Sequence, residues 1–172
     1  GEYHFGGGSG TEEDPWRIAT IDHLNNIRTY LGEDKYYLQT ADIDLGVSPW
    51  NEEEGWIPFG KAYGNHFNGT YDGGNHSITG LYINRPNENY QSLFGYLAEG
   101  AVKRLNVVGC HLIGKDYVGA IAGVAIMDTQ VIGCHSQGII SGNNSLGGII
   151  GRAKDSFVQY CDSFAEVKGY NQ

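Results

Sequence analysis

Lysine and arginine are scarce in this 172-residue chain. The sequence has 11 Lys and Arg against 20 Asp and Glu, which gives a formal net charge of -9, and its one adjacent basic pair is Lys103-Arg104. A surface with this surplus of negative charge repels a phosphate backbone and an anionic lipid surface. The composition therefore argues against nucleic acid as a partner.

Two kinds of hydrophobic run are missing. The longest apolar stretch, residues 118–127, is interrupted by glycines, and the mean hydropathy is -0.36. A membrane-spanning helix needs about 20 predominantly apolar residues, so we predict no membrane insertion. The first five residues also lack the basic and apolar parts of a signal peptide. We interpret the chain as a piece of a longer parent chain.

Cysteine is rare as well. Three residues, Cys110, Cys134 and Cys161, cannot all pair inside the chain. The cysteine count therefore does not indicate a redox compartment. A domain of this length buries enough apolar surface to fold without a disulfide framework or a structural metal.

Glycine, in contrast, is abundant and regularly spaced. The chain has 27 glycines, more than twice the ordinary share of about 7%. An apolar pair followed by glycine recurs at an interval of 28 residues, and glycines in such a row usually mark bends of a repeat architecture. The pairs are Leu93-Phe94-Gly95, Ile121-Ala122-Gly123 and Ile149-Ile150-Gly151, and a second row is Gly114, Gly142 and Gly169.

The repeat length selects the fold. Units of 27 to 28 residues with several short β-prone pieces leave no room for a crossover helix of about a dozen residues. The units are therefore expected to coil as rungs of an all-β parallel β-helix, in which each strand pairs with its counterpart one unit later. A β-sandwich of hairpins would show irregular spacing instead. We expect Leu93, Ile121, Val131, Ile149 and Val158 to point inward.

The N-terminal part carries the pattern of one helix. Thr20 is a candidate N-cap and Gly32 a suitable stop. Between them, one apolar stripe would cover the open end of the solenoid. The stripe consists of Ile21, Leu24, Ile27 and Leu31. We divide the single β-helix domain, 1–172, into a leading segment with a capping α-helix (1–35), irregular rungs with long loops (36–90) and regular repeats (91–172), with about five or six rungs.

Two segments of the regular half carry a glycine-rich motif. Residues 117–123 read Tyr-Val-Gly-Ala-Ile-Ala-Gly, and residues 146–151 read Leu-Gly-Gly-Ile-Ile-Gly. Shorter motifs precede them in the order Gly10-Thr11, Asp14-Pro15-Trp16, Leu24-Asn25, 41–45, 56–60 and 67–73. With these motifs the chain resembles the GLUG-motif family, whose repeats occur in bacterial surface proteins and beside immunoglobulin A protease domains. Ala120 and Ile149-Ile150 stand where that family often has Gly and Leu-Val.

This resemblance implies a right-handed β-helix in an exported or cell-wall-attached bacterial protein. The implied role is adhesion or spacing at an extracellular or cell-surface location, with a host protein or glycan as partner. The family supplies no catalytic residues. Two alternatives stay open: an accessory domain of a secreted immunoglobulin A protease-like metallopeptidase, and a polysaccharide-binding or polysaccharide-degrading β-helix.

Catalytic motifs are missing from the sequence. There is no HExxH, and residues 7–11 depart from G-x-S-x-G at the last position, with no strand before them. Polysaccharide-cleaving β-helices use Arg, Lys and clustered Asp, whereas this chain has few basic residues and no stacked row of them. The Thr-x-Thr array of an ice-binding solenoid is also missing. We predict no catalytic residues and no cofactor for this chain, and the parent protein stays open.

Several carboxylates sit in suggestive positions. Asp42 and Asp44 share one face of a predicted strand and could act as paired carboxylates or calcium ligands. The alternative, which we favour, is that they accept hydrogen bonds from backbone amides of neighbouring turns. Asp72 and Asn75 are expected to cap amides of the turn at 72–76.

Two Cys-His pairs, Cys110-His111 and Cys134-His135, contain ligands that zinc prefers. Adjacent residues on a strand face opposite sides, so neither pair converges on one ion without a bend. We predict no metal site.

The cysteines also bear on register. Alignment of the repeats by their glycines puts Asn106, Cys134 and Cys161 in one row. Alignment by the recurring Val-x-x-Cys segments puts Cys110 in place of Asn106. Stacked rungs hold Cα atoms about 4.8 Å apart with parallel Cβ vectors, which disfavours a disulfide. We expect free, buried thiols, and the oxidation of Cys134 and Cys161 stays open.

Aromatic residues give the one candidate ligand site. Trp50, Trp56 and Tyr63 lie in or beside a long acidic loop, residues 49–64. Loops of a solenoid offer pockets, and exposed rings stack on sugar faces. The alternative is that these rings pack beneath the loop.

Overall fold

The computed structural model describes residues 4–170. In this range one short α-helix, one 3₁₀ helix and 18 strands follow each other. Their bounds are β1 Trp16–Ile18, α1 Ile21–Asn26, the 3₁₀ helix Ile27–Tyr30, β2 Tyr36–Gln39, β3 Ile43–Asp44, β4 Thr70–Asp72, β5 Ser77–Thr79, β6 Tyr82–Asn84, β7 Phe94–Ala98, β8 Ala101–Lys103, β9 Asn106–Ile113, β10 Asp116–Val118, β11 Ala122–Ile126, β12 Gln130–Ile132, β13 His135–Gly142, β14 Asn144–Leu146, β15 Ile150–Ala153, β16 Phe157–Gln159, β17 Asp162–Ser163 and β18 Glu166–Gly169.

The strands form stacked parallel sheets around one core. One sheet runs β1-β2-β4-β8-β12-β16, and a second runs β3-β5-β9-β13-β17, with β6 and β18 paired to β9 and β13. A third contains β7, β11 and β15, and β10 pairs with β14. Every pairing between these strands is parallel. The expected parallel β-helix is confirmed, because a sandwich of hairpins would pair antiparallel.

The solenoid has about four turns, fewer than the five or six expected. Along the first sheet, Tyr37, Tyr71, Val102, Val131 and Val158 pair in succession. The turn from Tyr37 to Tyr71 is the longest of these, and each later turn is shorter than the one before it. The estimate failed because the connection from β1 to β2 holds the helix, and because the early turns carry long loops.

The predicted capping helix is present but short. The Thr20 hydroxyl accepts a hydrogen bond from the His23 amide at 3.1 Å, which confirms the N-cap. The α-helix ends at Asn26 and continues as the 3₁₀ turn, with Leu24 and Ile27 fully buried. No helix within residues 4–170 combines the length and apolar content needed to cross a membrane.

Most of the predicted inward residues lie in the core. Leu93, Ile121 and Val131 are fully buried, and Ile149 is partly buried against them. Val158 is 43% exposed although it pairs in register with Val131. The expectation that Val158 is buried is therefore wrong, because no coil covers the last turn within the described residues.

The glycines of the first row are not bends, whereas Gly114, Gly142 and Gly169 of the second row lie at the ends of strands. Gly95, Gly123 and Gly151 lie within β7, β11 and β15. A Cβ on Gly95 would lie 2.3 Å from the Gly60 carbonyl oxygen, and a Cβ on Gly123 or Gly151 would lie 2.6 Å from the preceding glycine's oxygen. We call Gly60, Gly95, Gly123 and Gly151 the glycine column. Close backbone stacking, and not a turn, requires glycine there.

Non-glycine residues form one row of left-handed backbone conformations. Tyr90, Tyr117 and Ser145 have φ of 62°, 63° and 56°, and Tyr117 and Ser145 are the central residues of β10 and β14. The Tyr90 and Tyr117 rings stack at 5.0 Å, so two successive turns are joined by an aromatic pair at this row.

The residues that align with Cys134 in the structure differ by one position from those expected from the glycine alignment. His135 pairs with Asn106 and with Asp162, so Cys134 aligns with Leu105 and Cys161. Neither Asn106 nor Cys110 belongs to that row. An extra residue in the turn at 127–129 shifts the register by one position, and a bulge at 109 restores it.

Candidate functional site

The predicted aromatic site separates into buried and exposed parts. Trp56 is fully buried, with its ring edge-on to Phe59 at 5.5 Å, and half-buried Trp50 packs on it at 5.0 Å. The ring of Trp56 is therefore unavailable for stacking on a sugar, which corrects the expectation for that residue. Burial was the alternative for these rings, and it holds for Trp56.

Tyr63 lies at the tip of a tight turn. The Lys61 amide donates to the Asn65 carbonyl at 2.9 Å, and the Asn65 amide donates to the Ala62 carbonyl at 3.0 Å. The turn holds Tyr63 59% exposed, with its ring stacked on His66 at 4.9 Å and 17°. Ligand binding by Trp50 and Tyr63 stays a prediction.

Arg28, on the 3₁₀ turn, connects the capping helix to this loop. Its guanidinium carbon lies 4.7 Å from the ring centres of both Trp56 and Phe59. Its Nε donates to Asn25 Oδ1 at 2.7 Å, and its Nη atoms donate to the carbonyls of Ile57 and Pro58. Burial, and then the neighbouring charge of Arg85, lower the pKa of Arg28 to about 10.

Sequence reasoning missed Arg28. The one available signal was a lone arginine directly after Ile27, inside the span of the apolar stripe, in a chain with few cations. That signal does not reveal a contact with the rings of Trp56 and Phe59, which come much later in the chain.

The paired carboxylates are occupied by protein donors. Asp42 Oδ1 accepts from the Ser77 amide at 2.9 Å and lies 3.2 Å from His76 Nδ1, which together lower the pKa of Asp42. Asp44 Oδ1 accepts from the Gly46 amide at 2.8 Å. The favoured alternative, backbone capping, is confirmed. No group of three or more His, Cys, Asp or Glu side chains that could hold a metal occurs between residues 4 and 170.

The capping role predicted for Asp72 is confirmed and extended. Asp72 Oδ1 accepts from the Gly74 amide at 2.9 Å. Arg104 on the next turn donates through Nε at 2.9 Å and Nη2 at 2.7 Å. Burial opposes ionisation of Asp72, but these hydrogen bonds outweigh it and lower the pKa. Asn75 has the left-handed φ, 64°, that a turn residue adopts.

The Cys-His pairs diverge as expected. Cys110 and Cys134 are buried, whereas His111 and His135 are exposed on the other side of their strands. All three cysteines are free, with Cys161 half-buried instead of buried. Half-burial of Cys161 is the one departure from the expected buried thiols, and it follows from its place on the last turn.

A histidine-aspartate pair does occur on the surface. His135 Nδ1 lies 2.6 Å from Asp162 Oδ1, as neighbours on adjacent turns. The adjacent Ser136 hydroxyl instead donates to the Gly148 carbonyl at 2.7 Å and contacts Ser163. Within the described part of the chain, no hydroxyl or thiol pairs with a histidine as a catalytic nucleophile would.

Known proteins similar to this chain share parts of their sequence with it. No protein-family model matches the chain. It is 40% identical over 123 residues to a protein of Evansella cellulosilytica described as a Gly-rich membrane protein. It is 28% identical over 155 residues to the halomucin of Haloquadratum walsbyi, and 29% identical over 121 residues to the immunoglobulin A1 protease of Streptococcus pneumoniae.

These matches cover 69%, 88% and 70% of the chain, respectively. The chain itself spans 14%, 2% and 5% of the length of those relatives. It is thus related to a region of each of these much longer proteins.

A solved structure shares the fold. The crystal structure of a Bacteroides ovatus protein described as an immunoglobulin A1 protease superposes with a TM-score of 0.77 and 22% identity. The match covers 94% of this chain and 50% of that one. It supports a β-solenoid repeat as the architecture.

Proposed function

We propose that the chain is a non-catalytic module of an exported cell-surface protein, built of GLUG-type coils, in which it acts as a spacer. The sequence relationship to regions of a membrane protein, a halomucin and an immunoglobulin A1 protease supports a surface or secreted setting. The rest of a longer parent chain is then its first partner.

The exposed last turn carries the spacer proposal. Phe164 is 85% exposed and Tyr160 83% exposed. The strands of this turn, β15 to β18, pair only with the preceding turn among the described residues. An open edge of parallel strands with exposed apolar side chains is complementary to a further coil of the same kind.

An appended coil tests this proposal. A copy of residues 116–143 is joined after residue 170, and we expect the added coil to raise the free energy of unfolding. The matched control is the same extension with the residue equivalent to Gly123 changed to Val, which cannot stack. Equal stability of the chain, the extension and the control would contradict the proposal.

The non-catalytic part has its own test. The purified chain is incubated with immunoglobulin A1 and with neutral and acidic polysaccharides. We expect no cleavage, because the surface histidine and carboxylates described above are committed to protein contacts. Depolymerisation or proteolysis by the chain alone would favour the enzymatic alternatives.

Ligand binding at the long loop is a second candidate function. The observation in its favour is the exposed Tyr63 ring on the turn at 61–65, because Lys61 and Asn65 of that turn line a surface cavity. We propose a host glycan or host protein as the ligand. Tyr63→Ala and Trp50→Ala are expected to weaken capture on a glycan array or in a host-protein pull-down. Tyr170→Ala, which changes an exposed ring on another turn, is the control.

A further inference from the structure

An open cavity of about 290 Å³ lies where the capping helix meets two loops. Its walls include Arg28 of the 3₁₀ turn and Lys61 of the long loop. Arg85 and Gln91, from the connection between β6 and β7, also line it. Lys61 and Asn65 both line it, so the Tyr63 turn forms its rim. The sequence distances between these residues explain why no motif indicated the cavity.

The cavity has a surplus of positive charge in an otherwise acidic protein. The positive charge of Arg85 is balanced by two carboxylates, since its Nη1 lies 2.9 Å from Glu54 Oε2 and 3.4 Å from Glu88 Oε2. Arg28 has no carboxylate partner among the described residues, because its three hydrogen bonds go to Asn25 and to backbone carbonyls. A guanidinium has five N–H donors, so two remain unused.

Unsatisfied polar atoms mark the same walls. Gln91 is 4% exposed, and its Oε1 has no hydrogen-bond partner in the described chain, although its Nε2 donates to the Asn89 carbonyl at 2.8 Å. Arg85 Nε is also buried without a partner there. Buried polar groups are nearly always paired, so a hydrogen-bonding group that entered the cavity would satisfy atoms that the described chain leaves unpaired.

We propose that this cavity binds the carboxylate of an acidic sugar. The planar fork of an arginine matches the two oxygens of a carboxylate. Gln91 offers an unpaired oxygen as a hydrogen-bond acceptor, which suits a hydroxylated ligand. The carboxylate of Glu88 at the cavity disfavours a more highly charged group such as a phosphate.

The size of the cavity limits the ligand. About 290 Å³ is at the lower end of the range for ligand pockets, about 300 to 1,000 Å³. It therefore accommodates a single sugar unit, such as a chain end or a branch, and not a length of polymer. This inference rests on the second proposed function, ligand binding, and is independent of the spacer role.

Saturation-transfer NMR with methyl glucuronide and methyl glucoside tests the inference. The two probes differ only in the carboxylate, and we expect the glucuronide to bind about tenfold more tightly or better. Arg28→Gln should weaken glucuronide binding by about the same factor. Arg152→Gln, an exposed arginine outside the cavity, should leave binding unchanged.

A second variant guards against loss of folding, because Arg28 also packs on two rings. Exposed Lys61→Gln should weaken glucuronide binding several-fold while the melting temperature stays constant, and exposed Lys154→Gln should not. Equal binding of the two methyl glycosides would overturn the carboxylate inference and keep ligand binding. Binding of an aspartate-rich peptide without glucuronide binding would overturn it too. If the chain also captured nothing on the array or in the pull-down, the second proposed function would fail as well.

Discussion

The Tyr71 hydroxyl donates a 2.6 Å hydrogen bond to Gln39 Oε1, and both side chains are buried. The Gln39 amide nitrogen donates in turn to the carbonyls of Ala41 at 2.9 Å and Ser77 at 3.0 Å. A buried glutamine is thus satisfied by groups from three segments of the solenoid. Buried networks of this kind are costly to leave incomplete.

Tyr71→Phe should therefore destabilise the protein. The change leaves Gln39 Oε1 without a donor, which costs about 1–3 kcal/mol in the free energy of unfolding. Tyr37 is the matched control, because it pairs with Tyr71 in the sheet and is equally buried, yet its hydroxyl has no partner in the described chain. Tyr37→Phe should be neutral or stabilising. Urea unfolding measures both, and equal losses would contradict the assignment.

The Asp72–Arg104 pair should make stability depend on pH. The pKa of Asp72 is lowered in the folded state from its ordinary value of 3.8, so its contribution is present above that value and is lost as pH falls through the folded pKa. Arg104 is about half exposed, and we expect Arg104→Met to cost about 0.5–1 kcal/mol at neutral pH.

That difference should disappear in acid. Unfolding of Arg104→Met and the parent is compared at pH 7 and at about pH 2, with exposed Lys154→Met as the control. A loss that persists undiminished at the lower pH would show that the guanidinium acts through packing instead.

Gly123→Ala should be strongly destabilising. Its new Cβ would approach the Gly95 and Tyr117 carbonyl oxygens at 2.6 and 2.7 Å, and backbone atoms cannot move aside as a side chain does. We expect a cost of about 1–3 kcal/mol or more. Gly32→Ala is the control, because the nearest atom to its Cβ is 4.0 Å away. Similar melting temperatures of the two variants would refute the stacking explanation.

Cys161 should be the most reactive thiol. Its contact with Cys134 lowers the pKa of Cys161, whereas burial raises the pKa of Cys110 to about 11. Contact with Cys161, together with burial, raises the pKa of Cys134. Cys161 is also the least buried of the three cysteines, and iodoacetamide should therefore modify it first.

Mass spectrometry of partially alkylated protein identifies the site. Cys134→Ala removes the neighbouring thiol that lowers the pKa of Cys161 and should slow the reaction of Cys161. Denatured, non-reduced protein should give three thiols, and a count of one would contradict the free-thiol assignment.

The regular half of the fold was predictable because its period is set by the glycine column. Stacked backbones accept only glycine there, so the spacing survives in a single sequence. Local register was not predictable, since the extra residue at 127–129 and the bulge at 109 cancel before the next glycine row. The early turns, from Tyr37 to Tyr71 and from Tyr71 to Val102, carry loops whose length no periodicity constrains.

The candidate site was predictable only as a region. The acidic, aromatic loop indicated where irregular structure would lie, but the burial of Trp56 also involves Arg28, which lies on the 3₁₀ turn, far from the loop in sequence. The cavity joins side chains from distant parts of the sequence, from Arg28 on the 3₁₀ turn to Gln91 before β7. Such convergence is a property of the coiling and leaves no local pattern in the sequence.

The glycine column also bears on how the gene can change length. Gly95, Gly123 and Gly151 are each 28 codons apart, so duplicating or deleting one whole unit keeps every glycine beneath another. An insertion that moved a non-glycine residue into the column would bring a side chain against a carbonyl oxygen. Unequal recombination between repeats therefore yields folded proteins in steps of one coil, and the length of the solenoid varies in increments of about 4.8 Å.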